Sequence, residues 1–337
     1  MSDNVSIDNA TQRRILRFTF GVALAVFLAA WLNWSLAFVA PVFTAKFLVD
    51  KPKAHKETVY ELLLAMIATM GLGLLLSGGI TQFPIILLLA VGLMMIWGYY
   101  LFTDPKWNLF ATILMIAVLM LPFMAIGNPA MSIYLAGGLA TSGAVAVFIY
   151  TLMHIYLPEP ESKFEGYAEP PISKKQRWHA SFRAMLISFP LVCFFFIFQI
   201  SEALLTMMFV ALLSLMITSE KSVKLSAFLI ISNGIGGVLA ILAFSILAIV
   251  PNIWFYTAFI ALLAVVIGTK IYTVSEKAPV FATAFSTLLV LIGSTLMSSG
   301  DIDSNTFIRI FQLVMVGTYM IVASLFLETR QWKFLQT

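Results

Sequence analysis

Charge is scarce in this chain. Of its 337 residues only 11% are Asp, Glu, Lys or Arg, where a soluble domain carries about 25%. So few charges cannot dress a water-facing surface of this size, which excludes a soluble enzyme. Cysteine is almost absent: the lone Cys193 lies in an apolar run, so no intrachain disulfide can form. The three histidines, His55, His154 and His179, stand at no metal-ligand spacing, so neither a metal nor a cofactor is expected. No phosphate-cradling GxxxxGK loop occurs, which excludes an ATP-hydrolysing subunit. HExxH, an aspartate-rich pair and a TVGYG-like filter are missing too, which removes metalloproteases, prenyl-pyrophosphate enzymes and potassium channels.

What is abundant is apolar. Hydrophobic residues make up 61% of the chain and the mean hydropathy is +0.98. The expected fold is an all-α, polytopic integral membrane bundle of about 12 transmembrane helices, each needing roughly 20 apolar residues. The spans read as 15–31, 34–48, 59–76, 83–102, 108–125, 131–153, 181–199, 203–218, 224–248, 253–272, 279–298 and 306–327. A polar tail covers 1–12, a first six-helix repeat 13–157, a polar linker 158–177, a second repeat 178–328, and a tail 329–337. With both termini placed in the cytoplasm, every Lys and Arg except Arg309 falls on the cytoplasmic side. This matches the bias of basic residues toward cytoplasmic loops. The net charge of +4 is thereby explained by topology, and nucleic acid is not an expected partner.

The two halves echo each other. Gln12-Arg13 recurs as Gln176-Arg177, Arg17 as Arg183, Pro84 as Pro251, and Phe110-Ala111-Thr112 as Phe281-Ala282-Thr283, at offsets of 164, 166, 167 and 171. Six spans per half means that both halves enter from the same side, a parallel repeat of the kind carriers use. The second span is short, with Pro41 read at its middle, and the eighth is equally short and opens on Glu202. Paired short or broken segments at corresponding positions point to a transporter's binding site, although a tilted helix in a thin region of bilayer fits them as well.

Polar groups inside the spans are few, and each has a bland reading. Arg309 either snorkels outward and pairs with Asp301 or Asp303, or faces a cavity as the cation for an anionic substrate. It shares one helical arc with Gln312, Val316 and Tyr319. Glu202 is an interfacial carboxylate, a partner for Arg309 at the same level or, with Asp301 and Asp303, a group that exchanges protons with the outside. Asn233 lies on a stripe with Ser226 and Gly237, beside the glycines of SNGIGG, where close helix packing is the favoured role. The substrate-binding candidates are therefore Arg309, Gln312, Tyr319, Pro41 and Asn233; the proton-coupling candidates are Glu202, Asp301 and Asp303.

The opening RRILRFTFGVALAVFLAAWLNWSLAFVAPVF resembles the entry of the fusaric-acid-resistance (FUSC-like) superfamily, which includes the aromatic acid exporters. The shared features are arginine before a small-residue first helix and a short second helix after an aromatic turn. The motif covers roughly 13–48, and the chain is similar to a short branch without a large cytoplasmic domain. The resemblance implies a bacterial inner-membrane efflux component that exports small aromatic carboxylates, is driven by protons and works with a periplasmic membrane-fusion adaptor. The alternative is a non-transporting membrane scaffold. An enzyme is not expected, and a homo-oligomer stays open.

Overall fold

A computed structural model describes residues 9–51, 56–104, 106–158, 173–199, 204–219, 223–274, 277–297 and parts of 315–326. Among the described residues the chain is helical throughout, in eleven α-helices. They are α1 (Asn9–Leu32), α2 (Val39–Asp50), α3 (Lys56–Ser77), α4 (Pro84–Phe102), α5 (Asn108–Gly127) and α6 (Pro129–Tyr156). Then follow α7 (Lys174–Phe198), α8 (Leu204–Ser219), α9 (Val223–Ile249), α10 (Ile253–Thr273) and α11 (Ala278–Met297). Eight apolar stretches in this part of the chain are long enough to cross a membrane. The twelfth span of the sequence reading lies mostly outside the described residues; short helical pieces occur at 315–316 and 318–320.

Helix starts follow local chemistry. Ser173 caps α7 by accepting a hydrogen bond from the Gln176 amide at 3.3 Å, and Asn252 caps α10 through the Trp254 amide at 2.9 Å. Pro84 and Pro129 stand at the first position of α4 and α6, where no amide partner is needed. The capped, charged first turns of α7 lengthen it well beyond the apolar run that begins near 181. Pro41 also differs from its sequence reading. It is the third residue of α2, not its middle, so its missing N–H removes no helical bond and the helix is unbroken.

The chain divides into two compact units: Met1–Glu61 with Thr141–Ala168 and Ser232–Ser299, and Leu62–Ala140 with Glu169–Ile231 and Gly300–Thr337. In the first unit α1 packs on α2 and α10, and α11 packs on α2 and α10. In the second, α4 packs on α5 and α7, and α8 packs on α5 and α7. Buried side chains concentrate on α5, where Ala111 to Phe123 are buried without a break, while α3, α4 and α10 keep large apolar side chains such as Ile67, Leu93 and Leu262 exposed. Exposed leucine and isoleucine along a membrane-crossing helix are what lipid solvates.

Small residues set the closest approaches. A Cβ added at Gly236 of α9 would lie 2.5 Å from the Ala284 carbonyl oxygen and 3.1 Å from the Thr287 Cβ on α11. The glycines of SNGIGG thus serve helix packing at Gly236, and a Cβ at Gly73 of the GLG patch would lie 3.1 Å from the Ala117 carbonyl oxygen on α5. Gly71 faces open space. Gly236→Leu is therefore expected to destabilise the fold by about 1–3 kcal/mol through overpacking. Gly71→Ala should be neutral or stabilising, since it only improves helix propensity. Thermal unfolding in detergent checks both; equal melting temperatures for Gly236→Leu and wild type would remove the close packing.

Candidate functional site: two short buried helices

Each unit holds one short helix enclosed by longer ones. In the first unit α2 has 12 residues, about 18 Å at 1.5 Å per residue, against a hydrocarbon thickness of about 30 Å. Every residue from Val39 to Ala45 is buried, as are Phe47 and Leu48. The last carbonyls of so short a helix find partners on neighbouring helices. Tyr150 of α6 donates its hydroxyl to the Lys51 carbonyl at 3.2 Å, and Tyr272 of α10 donates to the Leu48 carbonyl at 3.3 Å. Lys46 pairs with Asp50 at 2.9 Å across one helical turn.

The other end of α2 is held with comparable care. Asn33 and Leu36, between α1 and α2, adopt the left-handed region at φ 42° and φ 59°, uncommon for residues with a side chain. Trp34 donates its indole N–H to the Ser142 Oγ at 2.8 Å, and Ser142 donates in turn to the Leu36 carbonyl at 2.8 Å. A serine in α6 thereby ties down the strained turn through both its lone pair and its proton.

Beside this helix stands a buried cation. Arg17, on the membrane-crossing helix α1, is 2% exposed. Its positive charge acts on Tyr150, the residue that closes the end of α2. Phe18, next along α1, packs its ring against Tyr272 and Phe285, with centroids at 6.2 and 5.5 Å. A charge enclosed among apolar helices costs several kcal/mol unless its surroundings compensate it. Such residues mark substrate paths or structural keystones.

In the second unit α8 plays the part of α2. Thr206, Met207, Met208, Val210, Ala211, Leu213, Ser214 and Leu215 are buried. Where α8 meets α4 and α7, the Tyr99 hydroxyl bonds the Ser188 Oγ at 2.6 Å and makes a further side-chain bond with Ser214. Ser188 also donates to the Ala184 carbonyl at 2.8 Å, and Ser214 to Ala211 at 3.0 Å. All three side chains are fully enclosed, and hydrogen bonding among them offsets the cost of burying hydroxyls. At the end of α4, Arg177 of α7 donates to the Tyr100 carbonyl at 2.8 Å and to Thr103 Oγ1 at 2.9 Å. It also pairs with Asp104 at 3.3 Å and covers the Tyr100 ring at 4.3 Å.

Of the residues singled out from sequence, Pro41 is buried in α2 and Tyr319 is half-buried in the helical piece at 318–320. Asn233 lies on α9, with its side chain outside the described residues. Arg309, Gln312, Glu202, Asp301 and Asp303 also lie outside the described residues. Sequence reasoning placed Arg17 at the flank of the first span and missed its burial. The signal was present: the apolar run from Ile15 to Ala30 already encloses it. Nothing in the sequence marked Tyr150, Tyr272 or Ser142. Among the described residues no three His, Cys, Asp or Glu side chains are grouped to hold a metal ion.

Residues 14–153 match a family described as a protein of unknown function (DUF2955). The match spans α1 to near the end of α6, so it covers α2 and the turn that holds it. No curated protein and no solved structure matches the chain. A membrane-embedded helical protein with a paired set of short buried helices is the class that fold and site define.

Removing the hydroxyls that close α2 tests this geometry. Tyr150→Phe and Tyr272→Phe are each expected to cost about 1 kcal/mol, the usual net value of one hydrogen bond. Tyr60→Phe, at an exposed ring, should cost nothing. Melting temperatures of the three purified variants check the ranking; a loss at Tyr60 equal to that at Tyr272 would contradict it.

Proposed function

We propose that this protein is a membrane carrier that exports small aromatic carboxylates or related amphipathic compounds across a bacterial inner membrane. The observation that carries the reading is the pair α2 and α8. Each is short, each is enclosed by its own unit, and the two occupy the second position of each half. Short or interrupted helices at corresponding places of two repeats are where carriers place their substrate. The buried Arg17 supports an anionic cargo, because a carboxylate meets a guanidinium through charge-assisted hydrogen bonds that strengthen away from water. The resemblance of 13–48 to the FUSC-like exporters falls inside the segment matched to the family of unknown function, and supports the same direction of thought.

In this reading Arg309, with Gln312 and Tyr319 on its arc, receives the carboxylate, with Pro41 and Asn233 as neighbours along the path. Glu202, Asp301 and Asp303 exchange protons at the outer side. A periplasmic adaptor of the membrane-fusion type carries the substrate onward. Apolar walls hold the aromatic ring by burial.

Everted membrane vesicles containing the full chain, energised by respiration, are expected to accumulate radiolabelled benzoate-class or cinnamate-class acids. A protonophore should abolish the accumulation. Arg309→Ala and Glu202→Gln should lower it about tenfold, which corresponds to roughly 1.4 kcal/mol, at unchanged membrane levels. If no acid of the panel accumulates although the chain is inserted and stable, the export reading falls and a membrane scaffold takes its place.

A further inference from the structure

The two compact units are not the two halves of the sequence, and how they differ is informative. Unit boundaries fall after residues 61, 140, 168, 231 and 299. The segments that begin at Met1 and Leu62 are followed, at intervals of 168 and 170 residues, by segments that begin at Glu169 and Ser232. Each member of such a pair belongs to the opposite unit. A shift by half the chain therefore converts one unit into the other.

Helix packing obeys the same operation. Replacing each helix by the one six places away turns α1 on α2 into α7 on α8, and α1 on α10 into α7 on α4. It likewise turns α2 on α11 into α8 on α5, and α10 on α11 into α4 on α5. All eight pairings are present. Local details at matching positions follow it as well. Asn33 and Gln199, 166 residues apart, both take the left-handed conformation directly after the first helix of their half. Their amides return to Ala29 and Phe195, also 166 apart, at 3.1 and 3.0 Å. Only Leu36 shares that conformation among the other non-glycine residues described. Arg17 and Arg183 keep the same interval. Thr112 and Thr283, 171 apart, are both buried and both donate to the carbonyl four residues back, at 2.9 and 2.7 Å.

We propose that the chain is a duplicated six-helix element whose halves have exchanged partners, each compact unit joining the first two helices of one half to the fourth and fifth of the other. No half can then complete its own unit. α2 is enclosed by α11 of the opposite half, and α8 by α5. The functional bodies are the interleaved units, so in the carrier reading, on which this last step rests, transport moves units and not halves.

Full-length protein carrying Cys193→Ser and a protease site within 158–177 tests the exchange. In the first unit, Phe38→Cys with Gly293→Cys joins α2 to α11. A Cβ at 293 would lie 2.6 Å from that of Phe38, closer than the roughly 3.5–4.5 Å between the Cβ atoms of a disulfide, so the two helices must part slightly for the bond to close. In the second, Gly92→Cys with Phe189→Cys joins α4 to α7, to be bridged by a short membrane-permeant bis-thiol reagent; a Cβ at Gly92 lies 3.0 Å from the Phe189 ring. Phe18→Cys with Gly268→Cys is the reserve pair should the first fail to fold, since a Cβ there meets the Phe18 ring at 3.0 Å.

After complete cleavage, both cross-linked proteins should run at full length on a denaturing gel and fall into two fragments on reduction. Cleaved protein without cross-links should stay one particle in mild detergent. Fragments that part in mild detergent, or cross-links that appear only as dimers of the full chain, overturn the exchange. Cross-linked vesicles should export at the uncross-linked rate; a block there overturns the assignment of moving bodies while leaving the exchange intact. Failure of export in wild type bears on the carrier reading alone, since the gel readout needs no transport.

Discussion

The constraint on which the structure depends is that a peptide group away from water must find its hydrogen bond inside the protein. A helix that crosses the bilayer meets this by length. A helix of 12 residues does not, and so the ends of α2 are where the first unit spends its polar side chains. Tyr150 and Tyr272 close one end, and Trp34 and Ser142 hold the other. These four residues come from three different stretches of chain. The short helix therefore dictates which helices must be neighbours: α6 and α10 have to reach α2, whatever their distance in sequence. In the second unit the buried polar groups are instead hydroxyls of α4, α7 and α8 gathered around Tyr99, which satisfy one another and their own helices. Shape complementarity alone could not select these partners, because one leucine-rich face packs on another with little preference.

Much of the secondary structure was legible from hydropathy, and the reason is length. An apolar run of about 20 residues between polar punctuation has few alternatives to a membrane-crossing helix. Errors fell at ends where charge and helix coexist. α7 begins at Lys174 because Ser173 caps it, although Lys174, Lys175 and Arg177 dilute the hydropathy of its first turns. The Pro41 reading failed for a related reason. A proline inside an apolar run looks central until the turn at 33–38 is known to stand outside the helix, and that turn depends on two left-handed residues that no pattern announces.

Neighbours were far less legible. Membrane helices are apolar on most faces, so periodicity does not say which face meets which helix. The pairing of α1 with α10 rests on details such as Phe18 seated against Gly268, and that of α4 with α7 on Gly92 beneath Phe189. In sequence these are ordinary glycines and phenylalanines. The candidate site suffers from the same opacity. Arg17 reads as one more basic residue ahead of a span, and only the packing of α1 against α2 and α10 turns a flank into an enclosed charge.

The differences between corresponding places are as instructive as the likenesses. Arg177 clamps the end of α4 through two hydrogen bonds, an ion pair and an aromatic face. Arg13, ahead of α1's apolar run, donates an exposed bond at 3.3 Å to the Pro158 carbonyl. At the level of the short helix the second unit uses Ser188 and Ser214, while the first uses Gly21 pressed against Leu48 and Thr44. Asn33 and Gln199, each directly after a long helix, adopt the same left-handed backbone. Backbone geometry at a helix end has few solutions. A helix interface has many solutions, since a methyl lost on one side is replaced by a methyl gained on the other.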